Sequence, residues 1–180
     1  MIDINGTIGN VPNWPVTGVQ FKDITTLLSN PDAFRATVIA LTDFAYRNNI
    51  TDIVAPDARG FIWGAPVAFE LGLPLHLVRK PGKLPPPVIE QSFSYEYDST
   101  TLQIKADAKL NSLSNVLIVD DVSATGGTAL AIIELLKQFE VQPANTLYSC
   151  VIDLSHLGGI AALQKENIQT FSVVKYESEN

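Results

Sequence analysis

The sequence has little cysteine, no long hydrophobic run and few basic residues. Its single cysteine, Cys150, has no partner for a disulfide within the chain and lies in an apolar run, which predicts a buried thiol in a reducing cytoplasm. No stretch approaches the roughly 18 consecutive apolar residues of a membrane helix, and the first residues lack the basic and apolar segments of a secretory signal. These absences disfavour secretion and membrane insertion and indicate a cytoplasmic protein.

Positive charge is scarce. Twelve Lys and Arg residues stand against 19 Asp and Glu, which gives a formal net charge of −7 and a pI near 4.7. Proteins that coat nucleic acid or anionic membranes need a basic surface, so both kinds of partner are excluded. Any anionic ligand must be met by local positive charge. The 180 residues, 46% of them apolar, suit one core, and we expect a single domain over residues 1–180.

Common nucleotide and metal motifs are also missing. The only Gly-Lys pair lacks the flanking residues of a P-loop, and there is no GxGxxG. The two histidines, His76 and His156, share no metal-binding spacing, so we expect them to be structural. We expect Trp14 and Trp63 to be packing residues.

Apolar periodicity alternates between strand and helix patterns along the chain. It predicts helices over about 31–48, from after residue 60 to residue 71, around residues 129–136 and near 156–165. It predicts strands over about 53–55, 75–78, 116–119, 146–152 and 169–174, and a hairpin over about 93–104. This alternation is typical of an α/β fold with an open parallel sheet. Four prolines within residues 80–90 exclude a helix or a central strand there and predict a loop of functional length.

The segment over residues 116–128 carries the clearest chemistry. A buried-type strand runs into Asp120 and Asp121 and then into a glycine-containing turn, residues 124–128, that opens a helix. Backbone N–H groups, threonine hydroxyls and the helix dipole would converge there on a phosphate monoester. The two carboxylates would repel phosphate, so they should face a sugar diol or a metal beside it. A phospho-receiver domain is disfavoured because its acidic strand opens the fold, whereas this one lies late in the chain.

This ordered segment resembles the phosphoribosyl-pyrophosphate signature of type I phosphoribosyltransferases. Within that family, residues 18–25, 57–61, 78–85 and 94–97 are similar to the base-binding stretch, the pyrophosphate loop and the two sides of the mobile loop of adenine phosphoribosyltransferases. Residues 173–176 show a weaker similarity. The matches follow the family's order and cover most of the chain.

The resemblance implies an open twisted, mainly parallel sheet flanked by helices, with a small N-terminal hood that binds the base (residues 1–30) and a mobile β-hairpin loop (residues 80–105). It implies transfer of the ribosyl 5-phosphate from phosphoribosyl pyrophosphate to adenine, giving AMP and pyrophosphate in purine salvage. It further implies Mg²⁺ as cofactor, held mainly by the substrate phosphates without direct protein ligands, and a homodimer. Two alternatives remain open: a phosphoribosyltransferase for hypoxanthine, guanine or xanthine, and a non-catalytic regulator that senses phosphoribosyl pyrophosphate.

The resemblance also assigns site residues. Those for ribose 5-phosphate are Asp120, Asp121, Ala124, Thr125, Gly126, Gly127 and Thr128. Those for pyrophosphate are Asp57, Ala58, Arg59, Gly60, Arg79, Lys80 and Lys83, the last three forming a basic run in a segment without acids. Those for the base are Gln20, Phe21, Lys22 and Val122. Arg59 and Glu96 are the implied catalytic residues, although the alternating pattern around Glu96 by itself indicates only a solvent-facing side chain.

The sequence departs from the family pattern at three positions. Lys22 stands where arginine is common, Pro81 where a basic residue is usual, and Pro86 where glycine is common. Proline restricts the backbone, so we expect a stiffer loop, a weaker cationic clamp and slower loop closure.

Overall fold

The computed structural model describes residues 2–95 and 98–178, and strands alternate with helices along it. The strands are β1 (Gly9–Pro12), β2 (Gln20–Asp23), β3 (Asp52–Pro56), β4 (Leu75–Val78), β5 (Val88–Tyr95), β6 (Asp98–Lys105), β7 (Val116–Ser123), β8 (Thr146–Leu154) and β9 (Gln169–Tyr176). The α-helices are α1 (Thr25–Leu28), α2 (Pro31–Arg47), α3 (Gly60–Leu71), α4 (Gly127–Lys137) and α5 (Gly159–Lys165). Short 3-10 helices cover Asn5–Thr7, Pro143–Asn145 and Ser155–Leu157.

Five strands form a parallel sheet in the order β4-β3-β7-β8-β9. From β3 the chain therefore runs to β4 at the edge of the sheet, and β7 later pairs with the other side of β3. The switch point lies between β3 and β7, where open α/β sheets bind ligands outside the carboxyl ends of the strands. The predicted fold class is confirmed.

Both faces of this sheet are covered. Apolar residues of α2 and α3 pack on one face, and those of α4 and the β5–β6 hairpin pack on the other. In the first layer Trp63 of α3 is fully buried, and its ring meets Phe34 of α2 edge-on at 5.3 Å between centroids. Cys150 is also fully buried, as predicted. Within the described residues, no helix has the length and apolarity to cross a membrane.

Local signals account for the helix boundaries. The Asn30 side chain accepts hydrogen bonds from the N–H groups of Asp32 and Ala33 at 3.2 and 3.1 Å, and Pro31 occupies the first turn of α2. Such an N-cap contributes about 1 kcal/mol to helix stability. Helix α3 ends just before Gly72, as the pattern predicts.

Two predicted boundaries are wrong. The strand predicted to end at residue 119 continues to Ser123, because β8 pairs with it along its whole length, up to Ser123 opposite Asp153. Asp120 and Asp121 are consequently buried within the sheet rather than exposed beyond it. The predicted loop over residues 80–90 ends at residue 87, because Val88 already pairs with Lys105 in the hairpin.

Two small antiparallel sheets accompany the five-stranded sheet. The β1–β2 pair forms the N-terminal hood, and the β5–β6 hairpin is anchored at its base because Arg79 and Gln103 exchange backbone hydrogen bonds of 2.8 and 2.7 Å. Trp14 is half exposed, and its ring packs edge-on against Phe21 of the hood. His76 is structural as expected, with Nε2 2.9 Å from Asp52 Oδ1. His156 Nδ1 lies 3.5 Å from the backbone oxygen of Tyr176.

Candidate active site

Two adjoining cavities lie at the carboxyl ends of β3 and β7, at the switch point of the sheet. The first, of about 350 Å³, is lined by the 124–128 turn together with Lys80, Phe93 and Tyr148. The second, of about 180 Å³, is lined by residues 56–59 and by the acidic pair of β7. Asp120, Val122 and Thr128 line both. One elongated ligand could therefore occupy both cavities at once.

The turn over residues 124–128 has the conformation of an anion-binding site. Gly126 has a φ of 84°, a left-handed conformation that glycine adopts without a steric penalty. Helix α4 begins at the next residue, so its first N–H groups and its positive dipole end face the first cavity. The predicted phosphate residues of this turn are thus brought together on one cavity wall.

Asp120 and Asp121 are both buried, and their carboxyl groups interact with each other and with Arg59. Asp120 Oδ1 accepts a hydrogen bond from the N–H of Asp121 at 2.8 Å. Burial raises the pKa of Asp120 well above its ordinary value, and the neighbouring charge of Asp121 raises it further. Asp121 Oδ2 lies 2.7 Å from Arg59 Nε, yet within the described residues it accepts no aligned hydrogen bond. Both carboxylates can still receive donors such as sugar hydroxyls.

Arg59 is the more exposed of the two arginines near the cavities, and Arg79 is held by two hydrogen bonds. Arg59 lies at the start of α3, is about half exposed and lines the second cavity. Arg79 instead binds Asp57 through Nε at 2.8 Å and donates from its Nη1 to the backbone oxygen of Lys83 at 3.2 Å. Arg79 therefore ties the Asp57 turn to the start of the 80–87 loop. The Asp57–Ala58 peptide in that turn is cis.

The predicted base-binding residues lie on β2 of the hood. Phe21 contacts the ring of Trp14 edge-on, with 4.3 Å between centroids, and the amide oxygen of Gln20 accepts a bond from Asn10 at 3.4 Å. Lys22 is nearly buried: its Nζ donates to the Asn10 side chain at 3.2 Å and lies 4.2 Å from the ring centre of Tyr176. The Lys22 side chain thus joins the hood to β9.

The hood also ends close to the second cavity. The pKa of Asp23, at the end of β2, is lowered, chiefly by the hydroxyl and then the backbone N–H of Thr25, and to a smaller extent by the charge of Arg59. Glu96, the implied acid and base, lies outside the described residues, as does Tyr97.

Sequence reasoning did not identify Phe93 and Tyr148 as cavity residues. Tyr148 is the third residue of β8, and no local pattern in the sequence indicates that it reaches the cavity. Burial raises the pKa of its hydroxyl well above the ordinary value, so it stays protonated and able to donate.

An open parallel sheet that carries a phosphate-type turn beside a buried acidic pair at its switch point defines a phosphoribosyltransferase domain, and the family model described as "Phosphoribosyl transferase domain" matches residues 25–167. The chain is 45% identical over 174 residues to the adenine phosphoribosyltransferase of Haemophilus ducreyi, covering 97% of this chain and 96% of that one. It belongs to the adenine phosphoribosyltransferase family. It is also 43% identical to the Aeromonas salmonicida member, over 98% of this chain and 96% of that one.

Solved structures show the same relationship. The adenine phosphoribosyltransferase of Thermoanaerobacter pseudethanolicus has a TM-score of 0.86 and 34% identity, covering 96% of this chain and 98% of that one. The APRTase of Giardia lamblia, complexed with 9-deazaadenine, has a TM-score of 0.89 and 34% identity, covering 98% and 97%. The described residues therefore share the fold of these enzymes over nearly their whole length.

Proposed function

We propose that this chain transfers the ribosyl 5-phosphate of phosphoribosyl pyrophosphate to adenine, giving AMP and pyrophosphate in cytoplasmic purine salvage. The observation that carries the proposal is the pair of adjoining cavities with three shared lining residues. A donor with a phosphate at one end and a pyrophosphate at the other matches this pair. The family relationship supports adenine as the acceptor base.

The first cavity would hold the 5-phosphate. The turn over residues 124–128 supplies backbone N–H groups at a helix start, which is the usual way proteins bind a phosphate monoester. Tyr148, whose hydroxyl is protonated, lines the same cavity, and Lys80 also lines it, although the resemblance assigns Lys80 to the pyrophosphate. These groups give an acidic protein a local site for an anion.

The acidic pair would hold the ribose. Asp120 lines both cavities and Asp121 lines the second, so the 2′- and 3′-hydroxyls of a spanning donor would fall beside them. Vicinal hydroxyls donate to carboxylates, and bonds to charged acceptors are stronger than neutral ones. The pair would therefore fix the ribose ring with its C1 near the second cavity.

The second cavity would hold the pyrophosphate. The proposed residues are the turn over 57–60 with Arg59, whose half-exposed guanidinium lines the cavity, together with Arg79, Lys80 and Lys83 of the loop. Because Arg79 binds Asp57 and the Lys83 backbone, it would act mainly by fixing the turn and the loop relative to each other. Arg59 would bind the departing pyrophosphate directly.

Mg²⁺ would accompany the donor. No group of three His, Cys, Asp or Glu within the described residues could hold a metal ion alone, whereas buried carboxylates beside a pyrophosphate cavity fit a cation held mainly by phosphate and hydroxyl oxygens. Asp120 and Asp121 would orient the ribose hydroxyls that share in its binding. When bound, the ion neutralises charge on the departing pyrophosphate.

The base would enter beneath the hood. Phe21 would stack on adenine, with backbone groups of Gln20 and Lys22 reading its edge and Val122 packing against it. In the reaction N9 bonds to C1 as the bond from C1 to the pyrophosphate oxygen breaks, the bonding electrons leave with the pyrophosphate, and the purine gives its ring proton from N7 to Glu96. Glu96 is the proposed acid and base at the purine. Positioning of both partners and exclusion of water would supply most of the rate.

A direct assay tests this function. The purified protein with Mg²⁺, phosphoribosyl pyrophosphate and adenine should form AMP and pyrophosphate in equal amounts. Glu96→Gln should bind the donor as the wild type does while losing most of the rate. Donor binding without AMP formation by the wild type would refute the enzyme and favour the sensing regulator.

We also propose a homodimer. Large apolar side chains are exposed on the outer faces of α2 and α3, among them Ile39, Tyr46 and Phe69 at 58%, 73% and 84% exposure. Apolar patches of this kind mark interaction sites. Light scattering should give twice the 19.5 kDa chain mass, and a monomer mass at micromolar concentration would contradict the proposal.

A further inference from the structure

The start of α5 packs directly against the phosphate turn. The backbone N–H of Gly159 donates to the carbonyl oxygen of Ala124 at 2.9 Å. The two segments are far apart in sequence but adjacent in space, because β7 and β8 are neighbouring parallel strands. The start of α5 therefore supports the turn that faces the first cavity.

The contact leaves no room for a side chain on either segment. A Cβ at position 159 would lie 2.5 Å from the oxygen of Ala124, 2.7 Å from the nitrogen of Gly126 and 2.8 Å from Ser123 Oγ. A Cβ at position 126 would in turn lie 2.9 Å from the oxygen of Gly159. Two of the three atoms around position 159 belong to the backbone of the turn, so even a methyl group must displace the turn itself.

The hydrogen bond also orients the turn. The peptide between Ala124 and Thr125 is trans, and in a trans peptide the C=O and N–H point in opposite directions. With the Ala124 carbonyl directed at Gly159, the Thr125 N–H is directed to the opposite side of the turn. Thr125 lines the first cavity, so the contact with Gly159 fixes the orientation of a peptide group that belongs to the cavity wall.

We propose that Gly159 is a positioning residue for the phosphate turn, and that a hydrogen atom is required as its side chain so that the turn keeps its ligand-binding shape. This inference rests on the proposed function, since it takes the turn as the 5-phosphate site. Gly159 does not line either cavity. It acts on the ligand through the backbone of residues 124–126.

The neighbouring glycine provides a matched control. Gly158 has a φ of 77°, but a Cβ there would meet nothing within 4 Å. Gly158→Ala therefore strains the backbone next to Gly159 without touching the turn. Gly159→Ala instead places a methyl group against the turn. The two variants separate loss of stability from displacement of the phosphate site.

The test measures stability, ligand binding and kinetics for both variants. Gly159→Ala should weaken ribose 5-phosphate binding and raise the KM for phosphoribosyl pyrophosphate by about 10- to 100-fold, because displacements near 1 Å have effects of that size. Its KM for adenine should stay within about twofold of the wild type. Gly158→Ala should lower the unfolding temperature yet keep both KM values. Wild-type donor KM in Gly159→Ala, or equal KM increases in both variants, would overturn the proposal.

A measurement on the wild type covers the case in which Gly159→Ala does not fold. Hydrogen exchange of the Gly159 amide should slow when ribose 5-phosphate binds, because the ligand stabilises the turn that accepts its hydrogen bond. Slowed exchange in residues 125–128 with no change at Gly159 would refute the proposed coupling. Failure of the wild type to make AMP would instead refute the function, so the two failures are distinguishable.

Discussion

Replacement of Asp121 by asparagine should weaken donor binding with little loss of stability. Asp121 is buried, and its Oδ2 lies 2.7 Å from Arg59 Nε. Asparagine has nearly the same shape, so no cavity forms. Arg59 is about half exposed and can be hydrated once its partner is neutral. The lost attraction is offset because a buried carboxylate carries a desolvation penalty that a neutral amide largely avoids, so the unfolding temperature should change little.

The effect on the ligand should be larger than the effect on folding. Hydrogen bonds to a charged acceptor contribute about 1.5–3 kcal/mol and those to a neutral one about 0.5–1.5 kcal/mol. Replacing the carboxylate by an amide should thus cost the bound ribose about 1–2 kcal/mol. With a tenfold change for each 1.4 kcal/mol, the KM for phosphoribosyl pyrophosphate should rise by about 5- to 30-fold.

Steady-state assays with varied donor at saturating adenine, together with thermal unfolding, check this prediction. Asp153→Asn is the control, because Asp153 is equally buried on the adjacent strand but lines neither cavity. It should leave the donor KM unchanged. A donor KM in Asp121→Asn within twofold of the wild type, with the protein folded, would refute the assignment of Asp121 to the ribose.

Three further predictions concern buried groups and the loop. Since the pKa of Asp120 is raised in the folded chain, the folded chain holds this proton to higher pH than the unfolded chain, and stability falls as pH rises above the ordinary value of 3.8. Asp120→Asn should therefore unfold at a higher temperature than the wild type at pH 7 but not at pH 3. An equal difference in unfolding temperature at both pH values would contradict this. Burial raises the pKa of the Cys150 thiol beyond the physiological range, so iodoacetamide should label it only after unfolding, and rapid labelling of the native protein would contradict its burial. Pro86→Gly should speed loop closure in pre-steady-state measurements, and unchanged closure and turnover would reject the stiff-loop hypothesis.

Local sequence signals predict much of this fold. Asn30 and Pro31 mark the start of α2, and Gly72 marks the end of α3, because capping depends on a few adjacent residues. The alternation of strands and helices predicts the parallel sheet for a similar reason: each element needs its own apolar pattern.

Features that depend on strand neighbours could not be predicted in this way. The burial of Asp120 follows from the pairing of β7 with β8 beyond residue 119. The bond from Gly159 to Ala124 and the contact of Lys22 with Tyr176 each join residues distant in sequence. No local pattern in the sequence encodes such contacts, although the resemblance does name the residues that are proposed to form the site.

The central claim is adenine-specific transfer, and a competition among bases tests it most directly. The wild-type protein is given Mg²⁺, limiting phosphoribosyl pyrophosphate and equal concentrations of adenine, hypoxanthine, guanine and xanthine, and the nucleotide products are quantified. The ratio of products gives the ratio of kcat/KM values. AMP is expected as the dominant nucleotide, with an equal amount of pyrophosphate. Preferential formation of another nucleotide, or none at all, would contradict it.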